Sequence, residues 1–588
     1  MDAFDVVVIG SGFGGSVTAE RAAATGASVC VLERGRAYPP NSFARSPYSM
    51  NRAFWDPGHG RTGLFDVWSF RRMTGVVSAG LGGGSLVYAN VLIRKDERWF
   101  DNAGSPGSPE PWPVSRADLD PHYDAVERVV APQVFPMHQP PYDKVTKVWE
   151  FRRAAVQQGF EPTTYDAVDG TRPQWYLPLL GVTFGNPGRP PVPGETIAED
   201  VRNLHDRDRQ TCRMVGECDL GCNYGSKNSL DYNYLTLAHR HGARLRTLCE
   251  VKTFAPDGTG GIVVSYRQYE PVEEVERSTG PTPYTEVTVR GRHVVLAAGT
   301  FGTNLLLQRN QAAFPGLSRR LGHGISGNGD LLTLVLDAKK DVDGHRRNRV
   351  LDPSYGPVIT STLRSPDALD GGGADAHGFY LQDAGYPVFV DWLVQTASRT
   401  RNLAALAAFG WDRLKTHVLH RGSPHLAPSL VRLLGDSHLS AGSMPMLGMG
   451  RDVPDGVLSL DRDGDLVLRW DKRGSSRFFD HAIAVSKGMA GELDGRFVLN
   501  PVTALFNRFV TVHPLGGCAM GTTAEQGVVD VWGRVHGHPN LHVVDGAVLP
   551  GPVGANPSLT IAALADRFAD QLIEDLGSRP YAAGVAQV

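Results

Sequence analysis

Three groups of residues in this chain could do chemistry. Near the start, Gly10-Ser11-Gly12-Phe13-Gly14-Gly15 is followed by Glu33, twenty-three residues beyond Gly10. Glycines so placed permit a tight turn, a close backbone approach to a pyrophosphate and close packing of helix on sheet. The phosphates would rest on a helix N-terminus, where unpaired amides and aligned peptide dipoles favour negative charge, and Glu33 would accept hydrogen bonds from a ribose. In the middle, Cys212, Cys218 and Cys222 fall within eleven residues. Clustered thiolates on a turning backbone suit iron or zinc, while three reduced buried thiols or a disulfide fit the same spacing. Toward the end stand His513-Pro514-Leu515-Gly516-Gly517-Cys518, then Asp545 and Asn556-Pro557. A polar side chain and free amides at a helix start can stabilise negative charge developing on a bound ring.

Each group needs elements to hold it. Residues 4–9 are an apolar run, 16–25 are alanine-rich and closed by Gly26, and 28–32 lead to Glu33. That is the strand, turn, helix and strand of a dinucleotide-binding unit. Residues 293–300 read as a buried parallel strand whose small end, Ala297-Ala298-Gly299, lets a cofactor come close. In GVVSAGLGGGSLVYAN, residues 75–90, the glycines free the backbone to lie against something flat or phosphorylated. Residues 101–110 are polar and loop-like. Ser115 and Asp118 make a capping box that opens a helix through Val130, and 144–157 form a second helix. Residues 232–241 read as helix, 244–251 as a strand, and 261–269 with 285–289 as an antiparallel ribbon.

From Leu331 to Leu499 the character changes. Residues 331–336 and 388–390 are strand-like, 401–418 are helical, and Asp461 to Asp465 is a turn between two strands. The three methionines within 442–450 either line an apolar cavity or fill a core or lid. Asn556-Pro557 opens a last helix toward Leu576, with proline at its favoured first position.

At 588 residues the chain exceeds one ordinary domain, and its 41% hydrophobic and 21% charged residues describe a globular protein. A net charge of -3 gives no general attraction to nucleic acid or an anionic bilayer. Six cysteines are too few for a disulfide scaffold of this size. A strand beginning at Phe4 leaves no room for a signal peptide, and no unbroken apolar run is long enough to span a membrane. The expected location is the cytoplasm.

The segments GSGFGGS, GLGGGSLVYAN, GCNYGSKN, HPLGGCAMG and VGANPSLT stand in an order that resembles the glucose-methanol-choline (GMC) oxidoreductase family, in its cholesterol oxidase-like branch, over nearly the whole chain. The resemblance implies an α/β fold: a Rossmann-like FAD-binding domain of the GMC and glutathione-reductase kind, with a second α+β substrate domain on a mainly antiparallel sheet. The cofactor domain would take residues 1–100, 205–330 and 500–588, the substrate domain 331–499, and a cover or insertion 101–204. FAD would be held by Gly10, Gly12, Phe13, Gly14, Gly15, Glu33 and Arg34. Further contacts would come from Gly83, Gly84, Ser85, Asn90, Val251, Ala298, Gly299, Asp545, Gly546, Asn556 and Pro557. His513 matches the family's active-site histidine and Asn556 its second polar catalytic residue. Histidine suits the task of taking a hydroxyl proton because its pKa lies near neutrality. A hydride would pass from a secondary alcohol to flavin N5.

This sequence departs from the family pattern in three places. Gln382 stands where cholesterol oxidases carry a glutamate that moves the sterol double bond. An amide cannot act as that base, which leaves Asp383 as the other substrate-side candidate. Tyr88 replaces an asparagine near the flavin. The spacing of Cys212, Cys218 and Cys222 is similar to that of sugar dehydrogenases carrying a three-iron cluster, which implies a [3Fe-4S] cluster passing electrons to an external acceptor. Three readings follow: oxidation of a sterol or other bulky secondary alcohol without isomerisation, with oxygen or another acceptor; a sugar or glycoside dehydrogenase using the cluster; and a flavin-binding protein without turnover.

Overall fold

The cofactor half is built on one long strand. In the computed structural model, which describes residues 1–100, 112–271, 280–367, 378–387, 411, 441–500, 503 and 508–577, Tyr284–Leu296 runs for 13 residues. Its first part pairs antiparallel with Ile262–Tyr269, and its last part lies parallel between Asp2–Ile9 and His538–Val543. The two strands expected at 285–289 and 293–300 are therefore one. β-Branched residues on both sides of Gly291 keep the backbone extended through it. Conversely, the strand expected at 244–251 is two: Arg244–Arg246 joins the parallel edge beside Val29–Leu32, while Cys249–Pro256 belongs to the antiparallel arm.

Val6, Val7 and Val8 and all four residues of Val29–Leu32 are buried, as strands covered on both faces must be. Phe13–Ala24 packs against Ser558–Asp575, which in turn meets Arg116–Val130. That last helix opens as expected: Ser115 Oγ accepts from the Asp118 amide and the Asp118 carboxylate accepts from the Ser115 amide.

The second sheet has seven strands, in the order Arg496–Leu499, Leu331–Leu336, Met444–Gly450, Phe379–Asp383, Thr362–Ser365, Gln174–Tyr176 and Glu161–Pro162. Its pairs are antiparallel except the last. Residues 101–204 thus supply two of its strands. Met444, Met446 and Met449 are fully buried in the third strand, and helix Ser476–Glu492 lies against the sheet. Gly456–Leu460 and Leu466–Arg469 pair around the expected turn, where Asp461 Oδ1 accepts from the amides of Asp463 and Asp465. The expected elements at 101–110, 388–390 and, apart from Trp411, 401–418 lie outside the described residues. Among the described residues no helix is long and apolar enough to cross a membrane.

Two buried histidines bridge the parallel sheet, with His293 Nδ1 3.2 Å from His542 Nε2. Burial holds their pKa values down to about 4 and about 3. Above the ordinary histidine pKa both are neutral whether the chain is folded or not. On acidification the unfolded chain binds protons first, so stability present above pH ~6.5 is lost as pH falls toward these depressed values. The loss should be on the order of 3 kcal/mol for each histidine by pH 4. The carboxyls of buried Asp452 and Asp545 and of half-buried Glu20, pushed up to about 7, 6 and 7, act in the opposite sense. Comparison of wild type with His542→Leu isolates the pair: the melting temperature should fall less steeply between pH 7.5 and 5 in the variant. Parallel slopes would show that the pair carries no such linkage.

Candidate active site

The glycine loop is shaped by contacts that no side chain would tolerate. Gly10 has φ +100°, and a Cβ there would lie 2.2 Å from the Ala297 carbonyl oxygen. Gly83, at φ +52°, brings the GGGS segment so near that a Cβ would sit 2.5 Å from Gly12 Cα. A Cβ at Gly12 or Gly84, by contrast, would meet nothing within 4 Å, so both face open space. Glu33 braces this loop: Oε2 accepts from the Ser11 amide (3.1 Å) and hydroxyl (2.7 Å), and Oε1 from the Gly35 amide (2.9 Å). Arg34 pairs with Asp66 at 2.8 Å, and Phe13 packs edge-on against Tyr88 with ring centroids 5.5 Å apart.

Asp545 ties the C-terminal segment to the middle of the chain. It accepts from the Gly299 amide (2.9 Å), Thr303 Oγ1 (2.5 Å) and the Ala547 amide (2.9 Å), which joins the start of helix Gly299–Asn310 to the turn containing Gly546. Ser85 Oγ donates to the Gly82 carbonyl and accepts from the Leu230 amide. Ala298 precedes the Gly299 helix, Pro557 precedes Ser558–Asp575, and Val251 is buried within Cys249–Pro256. Asn90 is different. It is fully buried, and among the described residues neither polar atom of its side chain has a partner. An open glycine-walled space beside an orphaned buried amide is what a ligand with phosphates and a hydrogen-bonding ring system would complete.

The candidate catalytic residues come from separate segments. His513 follows the short strand Phe509–Thr511, which lies parallel to Met73–Ser78. Its Nδ1 is 2.7 Å from Asp330 Oδ1, and its backbone amide donates to Thr511 Oγ1. Asp330 Oδ2 accepts from Thr511 Oγ1 and from the Val512 amide, each at 2.9 Å. Asn556, at the mouth of the last helix, accepts at Oδ1 from Gln382 Nε2 at 2.8 Å. Gln382 is fully buried, and among the described residues its Oε1 has no partner. The seven-stranded sheet is thereby joined to the helix start.

Asp383 is not brought to this place. Successive residues on a strand point to opposite faces. Its carboxylate accepts from the Thr360 amide and hydroxyl and from the Ser361 amide and hydroxyl, and pairs with Lys147 at 3.6 Å. Asp383 is thereby engaged by a buried lysine and by Thr360 and Ser361.

The cysteine segment also requires a correction. Cys212, Cys218 and Cys222 line one cavity of about 20 Å³, room for about one water. Burial pushes the Cys212 and Cys218 thiols up, away from the thiolate form that a metal requires. Lys227 Nζ crosses the segment, donating to the carbonyls of Cys218 (2.7 Å), Tyr88 (2.8 Å) and Leu86 (2.9 Å). Among the described residues no three His, Cys, Asp or Glu side chains are gathered to hold a metal ion. The [3Fe-4S] cluster is not supported, and the segment braces the GGGS region through Lys227 instead.

Sequence reasoning missed Asp330 and Asn328. The signal was Gly327-Asn328-Gly329-Asp330, a polar turn directly before an apolar strand. Only the fold shows what that turn faces.

A glycine-loop dinucleotide fold with a histidine and an asparagine at the far end of the chain defines a flavoprotein oxidoreductase. The chain belongs to the GMC oxidoreductase family and is an FAD-dependent enzyme acting on CH–OH groups. Two family models described as GMC oxidoreductase match residues 198–321 and 494–565. The cholesterol oxidase of Mycobacterium tuberculosis is 30% identical over 590 residues, covering 96% of this chain and 90% of that one. The cholesterol oxidase of Acinetobacter baumannii is 28% identical, covering 96% and 93%. Among solved structures, a formate oxidase of Aspergillus oryzae shares the fold, with a TM-score of 0.57 at 15% identity, covering 98% of this chain and 99% of that one.

Proposed function

We propose that the protein oxidises a secondary alcohol of a sterol or another bulky compound and leaves its double bonds in place. The observation that carries this reading is the 2.8 Å hydrogen bond from Gln382 to Asn556. In this reading the amide, which cannot remove a carbon-bound proton, faces the substrate beside the second candidate catalytic residue. Asp383, the only neighbouring carboxylate on that strand, is held by Lys147, Thr360 and Ser361. The cholesterol oxidase relatives support a sterol as substrate.

In this reading Gly10, Gly12, Phe13, Gly14, Gly15, Glu33 and Arg34 hold the ADP half of FAD. Gly83, Gly84, Ser85 and Asn90 approach its pyrophosphate and ring. Val251, Ala298, Gly299, Asp545, Gly546 and Pro557 complete the cradle. FAD, when bound, supplies the two-electron acceptor for the carbinol hydride. A carboxylate only accepts, so His513 Nδ1–H donates to Asp330 and leaves Nε2 to receive the hydroxyl proton. With Oδ1 engaged by Gln382, Asn556 presents Nδ2 as a donor to developing negative charge. Six free cysteines fit a reducing, cytoplasmic setting.

A polyol or glycoside is the second reading, favoured by the buried Oε1 of Gln382, which has no partner among the described residues and suits a second donor on the substrate. Anaerobic flavin bleaching by cholesterol, methyl β-glucoside and 1-octanol decides between the two. Cholesterol should bleach fastest and give a product without a conjugated enone, and oxygen should then be compared with an artificial acceptor. Bleaching by the glucoside alone would favour the second reading, and bleaching by none would remove both.

A further inference from the structure

The turn Ser326 to Asp330 touches the segments that carry both candidate catalytic residues. Ser326 exchanges both backbone hydrogen bonds with Leu515, two residues past His513. Asp330 takes His513 Nδ1, the Val512 amide and Thr511 Oγ1. Asn328 reaches in the other direction: its Nδ2 donates to the Ala555 carbonyl at 2.8 Å, and its Oδ1 accepts from the Gly554 amide at 2.9 Å. Those are the two residues before Asn556. The Asn328 carbonyl also accepts from the Gly450 amide, at the end of the third strand of the substrate sheet.

The turn itself is held rigidly. Asp452 accepts from Ser326 Oγ at 2.5 Å and from the Gly327 amide at 2.9 Å, and the Asn328 amide donates to Ser326 Oγ. Asn328 lies in the left-handed region at φ +55°, and both it and Ser326 are fully buried. A non-glycine residue in that conformation persists only where its surroundings over-determine it.

We propose that Asp330 and Asn328 are positioning residues. Asp330 fixes the orientation and proton-bearing nitrogen of His513, Asn328 fixes the loop that presents Asn556, and the single turn sets the spacing between the two groups. The inference rests on the reading of His513 and Asn556 as the catalytic pair. It explains how two residues on separate loops of the C-terminal segment keep one geometry, because a displacement of about 1 Å can cost about 10²-fold in rate.

The test uses full-length holoenzyme and the variants Asp330→Asn, Asp330→Glu, Asn328→Ala and His513→Ala. The substrate is whichever of cholesterol, methyl β-glucoside and 1-octanol bleaches the flavin fastest. Asp330→Asn keeps the shape but can turn an amide N–H toward Nδ1, which favours the wrong tautomer. Its limiting rate of anaerobic reduction should fall about 10²-fold, with substrate Kd and FAD content nearly unchanged. Asp330→Glu should recover part of the rate. Hydrogen exchange, which needs no substrate, should loosen residues 509–515 in Asp330→Asn and 552–556 in Asn328→Ala. The effects of Asp330→Asn and Asn328→Ala combined should be less than additive. A normal rate in Asp330→Asn beside a dead His513→Ala would overturn the positioning role alone. A normal rate in His513→Ala would overturn the catalytic reading and the positioning role with it. Loss of rate only in step with loss of FAD and stability would assign the turn to folding and likewise overturn the proposal.

Discussion

His513→Ala should reduce the rate of alcohol-dependent flavin reduction by about 10²–10⁴-fold, the range that a positioned proton acceptor contributes. The argument is geometric. The ring is nearly buried, with 15% of its side chain exposed, and is held at Nδ1 by a carboxylate that is itself 2% exposed. One nitrogen is therefore committed and the other available. Alanine removes the acceptor but leaves Asp330 with Thr511 Oγ1 and the Val512 amide. The cost to folding should then stay within about 1–3 kcal/mol, the worth of one hydrogen bond to a charged group. The variant should bind FAD, accept electrons from dithionite and return them at wild-type rates, failing only with alcohol. Alcohol reduction at the wild-type rate would exclude His513 as the proton acceptor.

The second large effect concerns stability. Asp383→Ala should lower stability by about 3–5 kcal/mol, because it leaves the Lys147 ammonium buried without its counter-charge. Both side chains are fully inaccessible, and burial already pushes the Lys147 pKa down. After the substitution Lys147 retains only the carbonyls of Pro357 and Val358, which it contacts at 2.6 and 2.5 Å. Replacing the whole pair, as Lys147→Met with Asp383→Leu, should recover much of the loss, since a well-packed apolar pair has no desolvation penalty. Urea denaturation of the three proteins checks the order. A fully stable Asp383→Ala that cannot oxidise alcohol would return Asp383 to the chemistry.

The placement of Asp383 shows where sequence reasoning stops. Gln382 and Asp383 are adjacent, and both types suit a substrate site. The pleat of Phe379–Asp383 sends one toward Asn556 and the other toward Lys147. Which face a strand turns to the site depends on its neighbours in the sheet, here the strands at Thr362–Ser365 and Met444–Gly450. Likewise the cysteine spacing fits a cluster, but among the described residues no three metal-ligating side chains are gathered to hold an ion.

Local chemistry was legible in the sequence because it acts over a few residues. Glycine turns, the capping box at Ser115, the run of Leu331–Leu336 and the break at Gly464 each depend on backbone freedom or side-chain period within one element. The cofactor class, the fold class and the roles expected of His513 and Asn556 came from the family resemblance that the order of those segments carries. Tertiary structure decided the long-range partners: Asp330 lies 183 residues before His513, Gln382 lies 174 before Asn556, and Lys147 meets a strand from the far side of the chain. Such contacts are set by packing and burial, which gather charges and amides that no sequence period marks.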